Sequence, residues 1–431
     1  MTRALIIAAP SSGAGKTTVT LGLLRALKRR GIAVASAKVG PDYIDPAFHA
    51  AASGRACRNL DPWAMRPETL LCQLDRAADG ADLLIVEGVM GLFDGAAEGG
   101  GSTADLAALL GLPVLLVQDV RGQTVSAAAV ARGFATYRDD VRVAGVLLNR
   151  IGSPRHADLI RPPFESLGLP VLGALPRTDG LTVPSRHLGL IQAGEQADLG
   201  GFLERAADAI EAAVDLDRLM ALARPIARRG EGSVAIPPLG SHIAVARDIA
   251  FAFAYPHALD GWRAAGAELS FFSPLADQAP SGSADAVYLP GGYPELHAGR
   301  LAAASSFRWG MQAAAARGAV IYGECGGYMT LGAGLVDGEG VRHEMLGLLP
   351  VETSYATPHR HLGYRRITLS AETPLGLVGA GYRGHEFHFA SEIARQQVPF
   401  FCESAGHGPA GAIAGTVFGS FLHLIDQVEA G

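Results

Sequence analysis

The chain has 431 residues, which is too long for one ordinary domain and predicts two or three. Hydrophobic residues make up 49% of it, enough for sizeable cores, and no stretch is long and apolar enough to predict a membrane span. The formal net charge of -6 argues against a nucleic-acid-binding surface. The four cysteines form no CxxC pair, so neither a structural zinc site nor a disulfide framework is expected, which fits a cytoplasmic location.

The first half of the chain alternates short apolar runs with helical patterns. A helix is predicted from Lys16 to Arg30, with leucines at helical spacing and Gly31 as its stop. The runs are continuously apolar, which is typical of parallel strands covered on both faces. They are "ALIIAA", "VASAKVG", "DLLIVEG", "VLLVQDV", "VAGVLLN" and "VLGALP". This alternation predicts a doubly wound α/β domain with a parallel sheet over residues 1–199.

A composition break separates this domain from a second one. Residues 201–222 have a helical pattern, and "ARPIARRGEGSVAIPPLG" after it is rich in proline, glycine and arginine. We therefore predict a helix and a linker over residues 200–240. A new α/β pattern then starts at "HIAVARD" and continues through "AELSFFSP", "DAVYLPGGY" and "AVIYGEC". It predicts a second α/β domain over residues 241–431.

The segment "AAPSSGAGKTT" follows the first predicted strand and opens the first helix. It matches the phosphate-loop pattern G-x-x-x-x-G-K-[ST], except that Pro10 replaces the first glycine. Small residues allow backbone N–H groups to face phosphate oxygens at a helix N-terminus. Asn149 ends a later strand, a suitable place to read the edge of a base. The predicted ATP-binding residues are Ser12, Gly13, Ala14, Gly15, Lys16, Thr17, Thr18 and Asn149.

Two acidic segments, "KVGPDYIDP" and "IVEGVMGLFDG", end later strands of the same predicted sheet. Ligands of open α/β sheets bind outside the carboxyl ends of the strands, so these acids are expected beside the phosphate loop. Mg²⁺ prefers a hydroxyl group, one or two carboxylates and phosphate oxygens. The side chains of Thr17, Asp42 and Glu87 would satisfy that preference, and we predict that they bind Mg²⁺.

The remaining polar residues of these segments are predicted to bind the substrate. They are Lys38, Tyr43, Asp45 and Asp94. An alternative is open for two of them, because Asp45 and Asp94 precede Pro46 and Gly95 and could simply cap turns.

In the second domain, "YGECGGYM" places Cys325 between an apolar strand and a glycine-rich helix start. A nucleophile on a tight strand-to-helix turn needs small neighbours, and the helix N-terminus is expected to favour the thiolate. His423 in "GSFLHLID" is the best candidate for its base. Gly291 and Gly292 in "LPGGYPE" are predicted to contribute an oxyanion hole.

Four further histidines lie in "PHRHLGYR" and "RGHEFHF", at positions 359, 361, 385 and 388. Metal binding by His385 and His388 is conceivable, but their spacing places them on opposite faces of a strand. No third ligand is obvious from the sequence. We therefore predict structural or substrate-contacting roles for these side chains.

Taken together, the motifs resemble the cobyrinic acid a,c-diamide synthases over essentially the whole chain. The motifs that carry the resemblance are "KVGPDYIDPAFH", "VEGVMGLFDG", "PSRHLGL", "LPGGYPE", "YGECGGYM" and "RGHEFHF". The resemblance implies a dethiobiotin-synthetase-like P-loop domain followed by a class I glutamine amidotransferase domain. It implies that glutamine is hydrolysed at Cys325, and that ATP with Mg²⁺ activates two acetate carboxylates of a corrinoid, which ammonia then converts to amides.

The sequence departs from the pattern of these families at two places. Pro10 stands in the phosphate loop, which dethiobiotin-type loops tolerate. Class I amidotransferases carry His-x-Glu, whereas Ile425 follows His423 at that spacing. The resemblance implies that the corrinoid enzymes lack this glutamate, and Glu386 is our suggestion for the residue that orients His423.

Several alternatives stay open at this point. The acceptor is either metal-free hydrogenobyrinic acid, which the alanine-, arginine- and glycine-rich composition favours weakly, or cobalt-containing cobyrinic acid. A P-loop switch ATPase with an inactive amidotransferase domain belongs to a different class, and the intact "GECGG" argues against it. A dethiobiotin synthetase with an unrelated appendage is the third alternative. The expected partners are the corrinoid, glutamine and ATP, without nucleic acid or membrane.

Overall fold

The computed structural model of the chain describes residues 2–178, 180–181, 185–186, 189–227, 230, 234–395, 399–403 and 408–428. The chain divides into two units. The first contains Met1–Trp63 and Leu70–Gly232, and the second contains Ala64–Thr69 and Ser233–Gly431. Most of the motif "PSRHLGL" and the centre of the expected linker lie outside the described residues.

The first unit is built on a sheet whose seven main strands are all parallel, in the order β3-β2-β4-β1-β5-β6-β7. Every residue of β2 and β4 is buried, as their continuously apolar sequences predict. The prediction of a doubly wound parallel sheet is therefore confirmed, although the short strand β3 was not among the predicted strands. The strands are β1 (Arg3–Ala8), β2 (Val34–Val39), β3 (Arg58–Leu60), β4 (Leu83–Glu87), β5 (Val114–Asp119), β6 (Val143–Ile151) and β7 (Val171–Pro176).

Three very short strands complete the description of this unit. The strands β8 (Ser185–Arg186) and β9 (Gly189–Leu190) form an antiparallel pair. The strand β10 (Arg224–Pro225) pairs antiparallel with the start of β1.

Helices connect the parallel strands of the first unit. The expected helix over 201–222 is divided in two, because Asp215 accepts a hydrogen bond from the backbone N–H of Arg218 and caps a new helix. The described helices are α1 (Lys16–Arg29), α2 (Asp45–Ser53), α3 (Pro67–Ala78), α4 (Thr103–Leu110), α5 (Val125–Thr136), α6 (Pro154–Ser166), α7 (Leu199–Ala213) and α8 (Leu216–Leu222). None of the helices in the described part of the chain has the length and apolar character needed to cross a membrane.

The helix that follows the phosphate loop is held closely by α7. A methyl group on Gly22 of α1 would lie 2.7 Å from the carbonyl oxygen of Ala206, so the two helices pack almost backbone to backbone. Arg25 and Arg29 of α1 both form ion pairs with Glu204 of α7. This packing fixes the helix whose N-terminus carries the phosphate-binding loop.

The second unit has a central six-stranded sheet in the order β12-β11-β13-β14-β24-β23, in which only the β23–β24 pair is antiparallel. Two further sheets have the orders β16-β15-β17-β20 and β22-β21-β18-β19-β25. The strands are β11 (His242–Ala246), β12 (Glu268–Phe272), β13 (Ala286–Leu289), β14 (Val320–Glu324), β15 (Gly334–Val336), β16 (Arg342–Glu344), β17 (Val351–Ser354), β18 (His361–Leu369), β19 (Gly381–His388), β20 (Ser391–Arg395), β21 (Phe401–Glu403), β22 (Pro409–Ala410), β23 (Ala412–Ala414), β24 (Val417–Ser420) and β25 (His423–Gln427).

The described helices of the second unit are α9 (Pro256–Ala264), α10 (Ala298–Ala303), α11 (Ser305–Ala316) and α12 (Gly326–Leu331). A core of buried aromatic and aliphatic side chains includes Phe251, Phe307 and Met311. Cys325 and the first turn of α12 lie within this core. The predicted α/β architecture of this half is confirmed, with more antiparallel structure after residue 334 than its sequence suggested.

Candidate active sites

The phosphate loop of the first unit lies between β1 and α1, as its sequence predicts. Gly13 and Gly15 have φ angles of 76° and 97°, in the left-handed region that favours glycine. A methyl group on Gly15 would lie 2.3 Å from Nδ2 of Asn149. That Nδ2 donates a 2.8 Å hydrogen bond to the carbonyl oxygen of Ala14, so Asn149 braces the loop from the end of β6.

A cavity of about 270 Å³ adjoins the loop. Arg150, whose φ is 63°, donates from Nη1 to the carbonyl oxygen of Gly13 and to Asp119. Thr18 donates to the carbonyl oxygen of Leu181. The cavity is thus bounded by polar side chains at the carboxyl ends of strands, where a nucleotide base and ribose could bind. Its lining includes Gly15, Thr18, Arg121, Asn149, Arg150, Pro176 and Arg177.

A cluster of charged groups lies beside the first turn of α1. The hydroxyl of Thr17 donates to Oε1 of Glu87 at 2.6 Å and lies 3.3 Å from Oδ2 of Asp45. The ammonium group of Lys38 is 2.6 Å from Asp45 and 2.9 Å from Glu87. The structure therefore brings together Thr17, Lys38, Asp45 and Glu87. A hydroxyl and two carboxylates are hard oxygen donors, and this set fits Mg²⁺.

Asp42, which the sequence predicts as a Mg²⁺ ligand, also stabilises a turn. Oδ1 of Asp42 accepts hydrogen bonds from the backbone N–H groups of Ile44 and Asp45, at 2.8 and 3.0 Å, so this carboxylate caps the turn before α2. Asp45, which the sequence left open as a turn cap, instead contacts Thr17 and Lys38. Oδ2 of Asp42 lies 3.7 Å from the ammonium group of Lys38, so both acids border the cluster, with Asp45 the nearer of the two to Lys38.

Two other predicted substrate-binding residues have less specific surroundings. Asp94 accepts a 2.8 Å hydrogen bond from the backbone N–H of Gly91, so the turn-cap alternative holds for it. Tyr43 is half-buried in the loop between β2 and α2.

The ammonium group of Lys16 in the phosphate loop donates to the carbonyl oxygens of Ser11 and Met90. These two bonds keep the ammonium group of Lys16 beside the backbone of the phosphate loop.

His49 is a member of this cluster that the sequence analysis missed. Its Nε2 lies 2.6 Å from Oε2 of Glu87, and its Nδ1 lies 3.5 Å from Sγ of Cys57, in a fully buried position. His49 follows Asp45 by four residues on α2, a spacing that places both on one helix face. That spacing in "DPAFH" was the available signal.

Mutual charge neutralisation sets the protonation of the cluster. Burial opposes the charge on Lys38, but Glu87 and Asp45 raise its pKa well above the ordinary value. Burial likewise opposes the charge on Glu87, yet Lys38 and His49 hold the pKa of this carboxyl well below its usual range. Burial, with Asp42 adding to it, raises the pKa of Asp45 to about 7. Burial and Lys38 lower the pKa of Lys16 to about 8. The cluster is therefore a compact set of buried ion pairs. A charged ligand that binds one member of a pair would separate it from its present partner.

In the second unit, Cys325 occupies a sharp turn between β14 and α12. Its φ and ψ are 46° and -103°, a backbone conformation that L-residues rarely adopt. A methyl group on Gly327 would lie 1.9 Å from the carbonyl oxygen of Leu289, and one on Gly326 would lie 2.9 Å from the backbone nitrogen of Gly292. The predicted strand-to-helix turn is present, and close backbone approach explains both glycines.

Gly291 separates Cys325 from His423. A methyl group on Gly291 would lie 2.4 Å from Cε1 and 3.3 Å from Nε2 of His423, and 3.4 Å from Cβ of Cys325. The structure thus brings Cys325, His423, Gly291 and Gly292 together, as the sequence predicts. Gly326 also lies at this site, because a methyl group on it would lie 2.9 Å from the backbone nitrogen of Gly292.

We expect Gly291→Ala to lower glutaminase activity by roughly 10²-fold or more, because the methyl group would displace the imidazole that serves as base. Steady-state glutamate release measures the effect, with ammonia-dependent amidation as a reference that should not change. Gly282→Ala is the matched control, since nothing lies within 4 Å of its added methyl group. Retained glutaminase activity in Gly291→Ala would show that the imidazole does not act from this position.

The environment of Cys325 differs from the expected one. Burial raises the pKa of its thiol far above the ordinary value, and Glu295 and Glu324 add to this, while the N–H of Gly326 opposes it. The six-residue helix behind the cysteine does not outweigh burial. Burial therefore opposes the thiolate that the helix N-terminus was expected to favour, and whether Cys325 is a nucleophile stays a prediction at this point.

The suggested orienting residue for His423 also needs correction. Oε2 of Glu386 bonds to Arg365 at 2.7 Å and its Oε1 bonds to His388 at 2.8 Å, so both oxygens are held by other groups. The carboxylate beside His423 is that of Glu324, whose Oε2 lies 3.6 Å from Nδ1. Sequence spacing could not show this, because the glutamate lies 99 residues before the histidine.

Contrary to expectation, a third potential ligand does accompany His388. Ligand atoms of His361, Glu386 and His388 lie within 4.8 Å of one another. His388 bonds to the carbonyl oxygen of Ala390 through Nδ1 and to Glu386 through Nε2, both at 2.8 Å, and Glu386 also bonds to Arg365. The ring of His361 stacks on that of His388. His385 points elsewhere, as its spacing predicts, and its ring stacks on that of His423 at 4.8 Å.

His385 should make folding stability depend on pH. Burial, with the charges of His423 and Arg365, lowers its pKa well below the ordinary value of about 6.5. The unfolded chain therefore takes up a proton below that pH while the folded chain does not, and stability falls as pH falls, by about 1.4 kcal/mol per unit.

Native-state hydrogen exchange of peptides from β19 and β25 at pH 7.5 and 5.5 measures this loss of stability. His385→Gln, which has no titrating ring, should show a smaller loss over the same interval. An equal loss in both proteins would mean that His385 is protonated in the folded state.

The two units match different domain families. Residues 5–191 match the family model for the CobQ/CobB/MinD/ParA nucleotide binding domain. Residues 242–429 match the CobB/CobQ-like glutamine amidotransferase domain. A curated protein of Sinorhizobium sp, named hydrogenobyrinate a,c-diamide synthase, is 56% identical over 99% of both chains. Proteins with the same name from Brucella anthropi and Rhizobium meliloti are 56% and 55% identical, over 98% and 99% of both chains.

The chain belongs to the family of hydrogenobyrinate a,c-diamide synthases. For a member of this family, both sites described above are expected in one polypeptide. The relatives cover the P-loop and the amidotransferase units together, which leaves the dethiobiotin-synthetase alternative without support. The switch-ATPase alternative also loses its basis, because the sharp turn that carries Cys325 and the neighbouring His423 are intact.

Proposed function

We propose that this protein converts the a and c acetate carboxylates of hydrogenobyrinic acid to amides, using ATP and glutamine. The observation that carries the proposal is the presence of two complementary sites in one chain: a phosphate loop beside Thr17, Asp45 and Glu87, and a strained Cys325 beside His423. The names and full-length coverage of the relatives support it.

The second unit is proposed to release ammonia from glutamine. The thiol of Cys325 gives its proton to Nε2 of His423 as its sulfur attacks the side-chain carbonyl carbon. The backbone N–H groups of Gly291 and Gly292, close to Cys325 and Gly326, are proposed to stabilise the resulting oxyanion. The imidazolium then protonates the departing amine, and water hydrolyses the thioester to glutamate and the free thiol.

The first unit is proposed to activate the acceptor carboxylate. Carboxylates are poor electrophiles, and transfer of the γ-phosphoryl group of ATP supplies a leaving group that ammonia displaces. Lys16 and the loop N–H groups would hold the phosphates, and the 270 Å³ cavity would take the base. Thr17, Asp45 and Glu87 would hold Mg²⁺, which when bound neutralises charge on the β- and γ-phosphates.

Lys38 is proposed to bind the substrate carboxylate when it leaves its present acidic partners. Its fully buried ammonium group contacts both Asp45 and Glu87, so a cation that binds these acids would release Lys38 for an anionic partner. Tyr43, in the neighbouring loop, is the second proposed substrate contact.

The proposal includes the domain boundaries and the location. Residues 1–199 would act as the synthetase and residues 241–431 as the glutaminase, with 200–240 between them. A reducing cytoplasm would supply ATP and keep Cys325 as a free thiol.

Mass spectrometry of hydrogenobyrinic acid incubated with the protein, ATP, Mg²⁺ and glutamine tests the proposal. We expect the mass change of two successive hydroxyl-to-amino exchanges, and none without ATP. Cobyrinic acid is the second acceptor to test, and faster turnover there would reassign the acceptor while keeping the reaction. No amidation of either acceptor would refute the proposed function.

A further inference from the structure

The glutaminase half of the proposed function lacks one component in the sequence. The base of a Cys–His pair needs an acceptor on its second nitrogen that fixes the tautomer and stabilises the imidazolium. In this chain Ile425 stands two residues after His423, where related amidotransferases have glutamate. Ile425 is fully buried, and its carbonyl oxygen accepts a 2.8 Å hydrogen bond from His257. That position is therefore part of the packed core.

We propose that Glu324, the residue immediately before the nucleophile, positions His423 and stabilises its charged form. This inference rests on the proposed glutaminase reaction at Cys325. Oε2 of Glu324 lies 3.6 Å from Nδ1 of His423, and both side chains are almost completely buried. Two consecutive residues of the chain thus supply the nucleophile and the acid, while the base comes from β25.

The carboxylate of Glu324 is held in place by neutral donors. Tyr288 donates to Oε2 at 2.8 Å and Tyr322 donates to Oε1 at 2.9 Å. The backbone N–H of Leu424, next to His423 on β25, donates to Oε1 at 3.2 Å. These three donors keep the carboxylate in one orientation without an arginine or lysine bonded to it in the described contacts. Its negative charge is thus available to the imidazole.

The two nitrogens of His423 face different partners. Nε2 lies on the side of Gly291 and Cys325, and Nδ1 lies on the side of Glu324. A carboxylate on Nδ1 selects the tautomer that carries its proton there, which leaves the lone pair of Nε2 free for the thiol proton. When the proton passes from sulfur to Nε2, the resulting imidazolium forms beside a buried anion.

The neighbouring groups support this assignment. Burial and the charge of Glu324 raise the pKa values of Tyr288 and Tyr322 well above the ordinary value, so both phenols stay neutral donors. His385 stacks on His423 and is itself neutral, because burial and His423 lower its pKa. The ring of His423 is therefore held on one face by stacking, and its Nδ1 faces the buried carboxylate of Glu324 at 3.6 Å.

Glu324→Gln is the first test, with kcat and KM for glutamine measured as a function of pH. We expect kcat to fall by roughly 10²-fold or more with KM unchanged, because proton transfer is impaired but glutamine contacts are not. Because the negative charge beside the imidazole is lost, the acidic limb of kcat/KM should move to lower pH. Glu324→Asp should restore part of kcat, and ammonia-dependent amidation should be unchanged in both variants.

Two comparison variants separate the inference from the function on which it rests. Glu386→Gln removes a half-buried carboxylate of the same unit and should leave the acidic limb in place. Cys325→Ser should abolish glutaminase activity. If it does, while Glu324→Gln keeps the wild-type kcat and acidic limb, Glu324 does not position the base. Persistent glutaminase activity in Cys325→Ser would instead refute the proposed reaction at this site.

A measurement on the unaltered protein covers the case in which the Glu324 variants fail to fold. The ¹⁵N spectrum of histidine-labelled protein, with the His423 signals identified by their loss in His423→Gln, reports its tautomer. We expect a proton on Nδ1 and a bare Nε2. A proton on Nε2 alone would overturn the inference.

Discussion

Cys325→Ala is expected to abolish glutamine-dependent amidation while amidation with added ammonium salt continues. Without sulfur no thioester forms, and loss of a covalent nucleophile removes roughly 10³-fold or more of the rate. The activation of the acceptor needs only the first unit, whose groups the substitution does not touch. Glutamate release and corrinoid amidation, measured in parallel with either nitrogen source, give the two rates.

Cys72→Ala provides the matched control for this experiment. Cys72 is also a buried free thiol, but it lies on α3 of the first unit and alanine suits a helix. We expect it to retain both glutamine- and ammonia-dependent rates. Loss of both rates in Cys325→Ala would point to a folding defect, and retention of both would remove Cys325 from the reaction.

The features that the sequence could predict are those set by local backbone demands. Gly15 and Gly327 are required by close contacts with Asn149 and Leu289, and such glycines sit next to the reactive residues in short motifs. The parallel strands are visible because burial on both faces makes them continuously apolar. The strand-to-helix turns that carry the phosphate loop and Cys325 could therefore be predicted without any tertiary information.

Side-chain pairing across distant segments could not be predicted in the same way. Glu324 and His423 are neighbours only because the end of β14 lies close to the start of β25 in the folded unit. Asp42 lies in the loop before α2 and Asp45 is the first residue of that helix, so the direction of each carboxylate depends on how the loop turns into α2. Sequence spacing fixes neither relation.

The protonation state of Cys325 is also difficult to predict from the sequence. A cysteine at the start of a helix suggests a thiolate, but the same glycine-rich turn inserts it into the core of the second unit. Burial then dominates the local dipole. If the resting thiol is neutral, His423 has to accept its proton in the proposed reaction. The acidic partner of His423 matters for that reason.

Asp45→Asn is expected to lower ammonia-dependent amidation by roughly 10²-fold or more, whereas Asp42→Asn should have a much smaller effect. Asp45 contacts Thr17 and Lys38, so its loss removes a carboxylate from the predicted Mg²⁺ site and an ion-pair partner of Lys38. Asp42 uses Oδ1 to accept two backbone N–H groups, and the amide oxygen of asparagine can do the same. The sequence alone predicts the larger loss for Asp42→Asn, because it favours Asp42 as the Mg²⁺ ligand.

The comparison is best made at several Mg²⁺ concentrations, with Glu87→Gln as a reference for loss of a cluster carboxylate. A role in holding the metal predicts that Asp45→Asn and Glu87→Gln need more Mg²⁺ for half-maximal rate, while Asp42→Asn follows the wild type. Glutaminase activity should persist in all three variants, because the second unit is unaltered. A larger loss in Asp42→Asn than in Asp45→Asn would mean that the loop before α2 turns when ATP binds and presents the other acid to the phosphates.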